Sequence, residues 1–336
     1  MGKSQFRYLS QEDILSLNIP YEQVIDTVEK AMGEFAKGTC QLPVKVHVNT
    51  RPVTYINAMP AYVGGEHDIT GLKWVAGYPE NRKKGLPVTW GIMVMNDADT
   101  GEVVGVMDAR WITAVRTAAV AAITAKYCKV KDSHTMTIVG AGEQGKWNAR
   151  LFKMVIPELK RIYITDIYEP AIEAYLKKMQ PLMPDVEFVP FNMDTELQQC
   201  IDESQILLTA TQRGEAFIFP DMLHRGMLGM PLESTAWDGR AYTQVADKFV
   251  CDDWNLCLDY LAAGKYTDGL PEEYQLLGKI INGEVSGRDS EDEFVISSSH
   301  GIAISDVAVA DLVLKVAAEK GVGQMLTLME EVDILR

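Results

Sequence analysis

The residues of this chain that speak of chemistry first are Gly140, Gly142 and Gly145, in the run Gly140-Ala141-Gly142-Glu143-Gln144-Gly145. Immediately before it stands Thr135-Met136-Thr137-Ile138-Val139, an apolar run of strand length, and a helical pattern follows. A strand, G-x-G-x-x-G and a helix in that order are what a dinucleotide needs. Gly140 permits the tight turn, Gly142 lets the backbone approach a pyrophosphate, and Gly145 lets the helix pack on the strand. The N–H groups at the helix start then face the phosphates. Asp166 ends the next strand-like run, Arg161 to Thr165, roughly 20 residues beyond Gly145. A carboxylate there accepts from the adenosine ribose hydroxyls and repels a 2′-phosphate, so NAD is the cofactor expected, in preference to NADP.

These residues need a scaffold, and the pattern around them supplies one. From 135 onward strand-like and helix-like segments alternate: 135–139, 143–156, 161–165, 169–180, 186–190, 194–202 and 205–210. Such alternation predicts a parallel sheet with helices on both faces. Residues 43–108 read differently, as strand-like runs punctuated by Pro, Gly, Asn and Asp, which predicts an antiparallel or mixed sheet. Asp99-Thr100-Gly101 has the composition of a hairpin turn. Helices are predicted over 21–37, with Gly38 as C-cap, over the Ala-rich and buried 111–128, and over roughly 305–320. The fold class is therefore α/β, a Rossmann dinucleotide-binding domain joined to a second, mixed α/β domain.

With 336 residues the chain suits two domains, and 47% hydrophobic against 24% charged residues is a soluble globular balance. Its 32 basic and 47 acidic residues give a net charge of −15, which argues against nucleic acid and anionic membranes as partners. No apolar run approaches the about 18 residues of a membrane span, and the first ten residues carry no signal-peptide pattern. Cys40, Cys128, Cys200, Cys251 and Cys257 are scattered, without a C-x-x-C pair, which reads as reduced thiols in a cytoplasmic protein. His47, His67, His134, His224 and His300 show no ligand spacing, so no catalytic metal is expected.

The run Asp108-Ala109-Arg110-Trp111-Ile112-Thr113-Ala114-Val115-Arg116-Thr117-Ala118-Ala119, followed closely by the glycine fingerprint, resembles the ornithine cyclodeaminase/μ-crystallin family, which includes alanine dehydrogenases and imine reductases. Leu42-Pro43-Val44-Lys45, Ala58-Met59-Pro60-Ala61, Gly71-Leu72-Lys73-Trp74 and Gly301-Ile302-Ala303-Ile304-Ser305-Asp306 support the resemblance. It implies a substrate and dimerisation domain of residues 1–115 plus 310–336, an NAD-binding Rossmann domain of 116–309, and a homodimer. It also implies that Lys73 and Arg116 hold a substrate carboxylate, with Lys45 beside them. Their chemistry suits this, since Arg offers a bidentate fork and Lys a compact charge. Leu72, Trp74 and Val75 are expected to be buried around Lys73. Thr117, Gln144, Thr209 and Thr211 are implied as cofactor contacts.

The chain departs from the family pattern at two places. Lys45 stands where the family often has Arg, which loses the fork. Cyclodeaminases carry a catalytic Asp after a Thr-rich strand end, and here Met230 falls at that position, with Glu233 and Asp238 nearby. Asp238 is carried as the candidate acid/base together with Lys73; Glu233 and His300 are further proton-transfer candidates. The expected activity is hydride transfer between a nicotinamide and a small α-amino or α-imino acid. The alternatives are a cyclodeaminase and a nucleotide- and ligand-binding protein like μ-crystallin. Trp74, Tyr78, Trp90, Trp111 and Trp237 make an aromatic pocket conceivable.

Overall fold

Alternating polarity and turn residues shape the first hundred residues. In the computed structural model, which describes residues 4–330, β1 (Ser4–Leu9) leads to Ser10, which caps α1 (Gln11–Ser16) in a reciprocal pair with Asp13. Helix α2 (Tyr21–Ala36) buries Val24, Ile25, Val28 and Met32 on one stripe and stops where Gly38 takes φ 78°. Strands β2 (Val46–Val48), β3 (Tyr55–Val63), β4 (Ile69–Gly77), β5 (Thr89–Asp97) and β6 (Val103–Asp108) follow as antiparallel neighbours. The β5–β6 turn is the Asp99–Gly101 hairpin: Gly101 adopts φ 74° and the Asp97 carboxylate accepts from Thr100 N.

Helix α3 (Arg110–Cys128) opens the alternating region: β7 (Thr135–Val139), α4 (Glu143–Val155), β8 (Arg161–Thr165), α5 (Glu169–Leu182), β9 (Glu187–Pro190), α6 (Met193–Asp202) and β10 (Ile206–Thr209). Then come β11 (Leu228–Pro231), β12 (Lys248–Cys251), α7 (Trp254–Ala262), the short β13 (Gln275–Leu276) and α8 (Leu277–Ile281), and β14 (Val295–Ser298). Helix α9 (Ala303–Lys320), ended by Gly321 at φ 65°, and β15 (Gln324–Met329) close the chain.

These elements form two units, one running up to Arg116 and resuming at Ile302, the other holding Thr117–Gly301. The second crossing precedes α9, whereas the expected boundary at 310 would cut that helix; a helix buried from Ala303 to Val313 stays with one core. Positions 1–3 and 331–336 of the expected first domain lie outside the described residues.

In the first unit a seven-stranded mixed sheet runs β15-β1-β6-β5-β4-β3-β2. One face carries the row Met59, Lys73, Met93 and Met107, directly paired across four strands, and α9 packs on β3, β4 and β5. The opposite face carries Val46, Ala58, Trp74 and Ile92 in one row and Val48, Ile56, Ala76 and Trp90 in the next. Trp74 was expected inside and stands 42% exposed, because successive strand residues point to opposite faces and Lys73 takes the buried one. Leu72 shares the face of Trp74 and is only partly covered, while Val75 is buried as expected.

In the second unit eight parallel strands run β13-β12-β14-β11-β10-β7-β8-β9. From β7 the chain first steps outward to β8 and β9, then returns to β10 on the other side. That reversal places a crevice at the carboxyl ends of β7 and β10, where open α/β sheets bind ligands. Helix α3 is almost wholly buried, its alanines allowing close approach of neighbouring backbone.

Candidate functional site

The glycine fingerprint sits at the carboxyl end of β7. Gly140 adopts φ 120°, and a β-carbon there would stand 2.5 Å from the Ala210 carbonyl oxygen, so only glycine fits. A β-carbon at 145 would stand 2.1 Å from the Gly140 oxygen, which locks α4 closely onto the turn. At Gly142 nothing lies within 4 Å of that position, leaving backbone open to an approaching group. Gly142 precedes α4 with no side chain capping the helix start, so the first-turn N–H donors face outward for an anion. Asp166, just past β8, accepts from Ala141 N at 2.9 Å and from Tyr168 N at 3.0 Å and so braces the glycine turn. This cradle fits a dinucleotide: three glycines at the turn, an uncapped helix start and a carboxylate at the next strand end.

Further along the same edge the threonines are engaged internally. Thr209 is buried and accepts from the Trp237 indole N–H at 3.0 Å, and Thr211 donates to Glu233 Oε1 from its backbone N and its hydroxyl, at 3.1 and 2.7 Å. Burial pushes the Glu233 carboxyl up to about 7 against the lowering pull of those Thr211 bonds. Its Oε2 is buried and lacks a hydrogen-bond partner. Gln144 lies in the first turn of α4, its Oε1 accepting from Asn148 at 3.3 Å, and Thr117 follows Arg116 on α3.

The first unit holds a separate constellation. Lys73, from the buried row of β4, donates to Asp306 Oδ1 at 2.7 Å, and Arg116 Nε on α3 donates to the same oxygen at 2.8 Å. Lys73 is 1% exposed, Arg116 6% and Asp306 0%. Asp306 lies in the first turn of α9, where the helix dipole favours a carboxylate. Burial pushes Lys73 down to about 7; the Arg116 charge pushes the same way, Asp306 opposes it, and Lys45 adds a smaller downward push. Lys45 is thus within electrostatic reach of Lys73, on the segment leading into β2. The clamp expected of Lys73, Arg116 and Lys45 is a cluster of cations, but it contains a carboxylate the sequence reading did not single out. The visible signal was Asp306 within Gly301-Ile302-Ala303-Ile304-Ser305-Asp306, an acidic residue in an otherwise apolar helix start.

The candidate acid/base residues fall elsewhere. Asp238 is gripped by its neighbour Arg240, with Oδ1 to Nε and Oδ2 to Nη2 both at 2.8 Å. That bond holds its carboxyl below the usual range, the reverse of what a proton-accepting base at neutral pH requires. Met230 is buried within β11. His300 follows β14, its Nε2 2.6 Å from the buried Tyr266 hydroxyl and its ring stacked on Tyr260 at 3.8 Å. The aromatic pocket does not gather: Trp74 and Trp90 are exposed on the first unit's sheet, Trp111 is buried on α3, and Trp237 is in the second unit's core. Among the described residues there is no metal-binding group of three or more His, Cys, Asp or Glu, and no helix long and apolar enough to cross a membrane.

Comparison with known proteins agrees with this geometry. Residues 7–321 match the model of the ornithine cyclodeaminase/mu-crystallin family, and the chain belongs to that family. It is 29% identical to the nodulation efficiency protein NfeD of Rhizobium meliloti over 96% of this chain and 98% of that one. Among solved structures it resembles the Delta(1)-pyrroline-2-carboxylate reductase of Thermococcus litoralis in complex with NADH and L-proline, at TM-score 0.82 and 26% identity, covering 95% and 99% of the two chains. It likewise resembles an archaeal alanine dehydrogenase dimer with bound NAD, at TM-score 0.84 and 27% identity, covering 97% and 100%.

Proposed function

We propose that this member of the ornithine cyclodeaminase/mu-crystallin family is an NAD(H)-dependent oxidoreductase acting on a small α-amino or α-imino acid. The observation that carries the reading is that one unit holds a complete dinucleotide cradle and the other a buried lysine–arginine pair, the charges that suit an anion. Gly140, Gly142 and Gly145 would hold the pyrophosphate and Asp166 the adenosine ribose, with Thr117 and Gln144 as further cofactor contacts, while Thr209 and Thr211, bonded to Trp237 and Glu233, would brace the strand end. NAD(H), when bound, supplies the hydride acceptor or donor. Lys73 and Arg116, assisted by Lys45, would bind the substrate carboxylate and orient its α-carbon. The solved relatives named above, one with NADH and L-proline and one with NAD, support both halves.

Net redox is favoured over cyclodeamination because Met230 offers no base and Asp238 is committed to Arg240. A homodimer is favoured by the two exposed apolar rows of the first unit's sheet, where Val46, Trp74, Trp90 and Ile92 are 61%, 42%, 46% and 38% exposed. The five free cysteines suit the reducing cytoplasm.

The test is an absorbance assay: NAD+ with a panel of amino acids, then NADH with pyruvate plus ammonium or with 1-pyrroline-2-carboxylate. Substrate-dependent change in NADH supports the reading. Ammonia release without net NADH would replace it with cyclodeamination, and inactivity in both directions would sink it.

A further inference from the structure

Asp306 is a carboxylate, 0% exposed, in the midst of the cations expected to bind a carboxylate. Two features separate it from an ordinary structural bridge. Lys73 Nζ and Arg116 Nε converge on one oxygen, Oδ1, at 2.7 and 2.8 Å. The other oxygen, Oδ2, is buried and lacks a hydrogen-bond partner, a costly arrangement that a bridge built only for stability would avoid by spreading the two cations over both oxygens. Convergence on one atom sets the Lys73 ammonium and the Arg116 guanidinium side by side, and the Nζ hydrogens and Nη groups not spent on Asp306 are the donors that suit the two oxygens of a single substrate carboxylate.

We propose that Asp306 is a positioning residue of the substrate clamp, holding Lys73 and Arg116 side by side and keeping Lys73 a cation. The proposal rests on the amino- or imino-acid reading above. The groups that set the Lys73 charge come from each element around it: Arg116 from α3, Asp306 from α9 and Lys45 from the segment before β2, while Tyr55 on β3 feels the Arg116 charge. Two cations and burial drive the Lys73 proton off, and Asp306 alone among them opposes. Without that carboxylate, burial and the neighbouring cations would act on Lys73 unopposed, weakening one of the clamp's two anchors.

The experiment has two readouts, one independent of turnover. In protein labelled with [ε-13C]lysine, the Lys73 resonance, assigned with Lys73→Arg, is titrated by NMR. Asp306→Asn is expected to lower its midpoint by about one pH unit or more. In the NADH assay at pH 6.5, where wild-type Lys73 is mostly a cation, with pyruvate plus ammonium or 1-pyrroline-2-carboxylate as probe, the same variant is expected to raise KM at least tenfold, with a smaller change in kcat and unchanged NADH affinity. Asp306→Glu keeps the charge but displaces it, so its midpoint stays near wild type while KM rises less. An Asn variant with wild-type midpoint and KM overturns the proposal, as does a shifted midpoint with unchanged KM. If the Asn variant does not fold, the Glu variant decides: wild-type KM overturns the proposal, and raised KM with a retained midpoint supports it. If the wild type uses neither probe, the functional reading fails, while the titration still judges whether Asp306 holds the Lys73 charge.

Discussion

On the function proposed above, the nucleotide cradle of the second unit and the cation clamp of the first would solve the same problem, holding an anion, by opposite means. The cradle uses backbone: an uncapped helix start and glycines whose missing side chains leave room. Backbone dipoles carry no net charge and need no partner, so the cradle can remain open to solvent without cost. The clamp uses full charges on side chains, and both are buried. Buried charges demand compensation, which is why Asp306 sits among them. A cradle made of backbone is therefore indifferent to pH near neutrality, whereas a clamp containing a lysine pushed down to about 7 is not.

That contrast can be broken most sharply at Arg116. Arg116→Lys keeps the charge but loses the planar fork, and losing a charge-assisted contact to a desolvated carboxylate costs about 2–4 kcal/mol, or roughly 30- to 1000-fold in kcat/KM. NADH affinity, measured by fluorescence, is expected to stay within twofold. A variant that loses melting temperature and NADH binding together would return Arg116 to a purely structural role.

A smaller effect is expected at the cradle. Asp166→Arg removes the carboxylate that would repel a 2′-phosphate and the brace to Ala141 N, so the NADH-over-NADPH preference should fall about tenfold or invert. Equal affinity of the wild type for both cofactors, by titration, would defeat the specificity reading. In this variant KM for the acid substrate should change little once cofactor is saturating.

The smallest effect is a stability change at Glu233. Its folded-state carboxyl is raised to about 7, so the folded state holds the proton more tightly than the unfolded chain. The favourable contribution is complete below the ordinary carboxyl range and is lost as pH rises through about 7. Glu233→Gln, neutral at every pH, is expected to be more stable than wild type at pH 8 by on the order of 1 kcal/mol, a few degrees in Tm. At pH 4 the difference should vanish. Equal melting curves at pH 8 would show that Glu233 ionises without penalty.

The amino-acid order by itself determined the cradle. Strand, glycine turn, helix and Asp166 lie within one contiguous stretch, and their roles follow from local backbone geometry: a positive φ at Gly140, a close approach at Gly145 and a strand end at 166. The alternating pattern likewise made the parallel sheet readable, because hydrophobic period and turn chemistry are local properties. The clamp was legible only as separate cations carried by resemblance. Asp306 stands 233 positions from Lys73 and 190 from Arg116, and nothing in local spacing says that a residue on the last long helix will meet a mid-sheet lysine. Alternation along β4 required Lys73 and Trp74 to face opposite ways, but which of them faced the core was decided by the packing of α9 on β3, β4 and β5. Asp238 shows the same limit in reverse: its type and neighbourhood suited a base, and a two-residue turn brought Arg240 back onto both its oxygens. Local backbone preferences can be summed along a chain, whereas the partner of a buried charge is chosen by the tertiary fold that removes both from water.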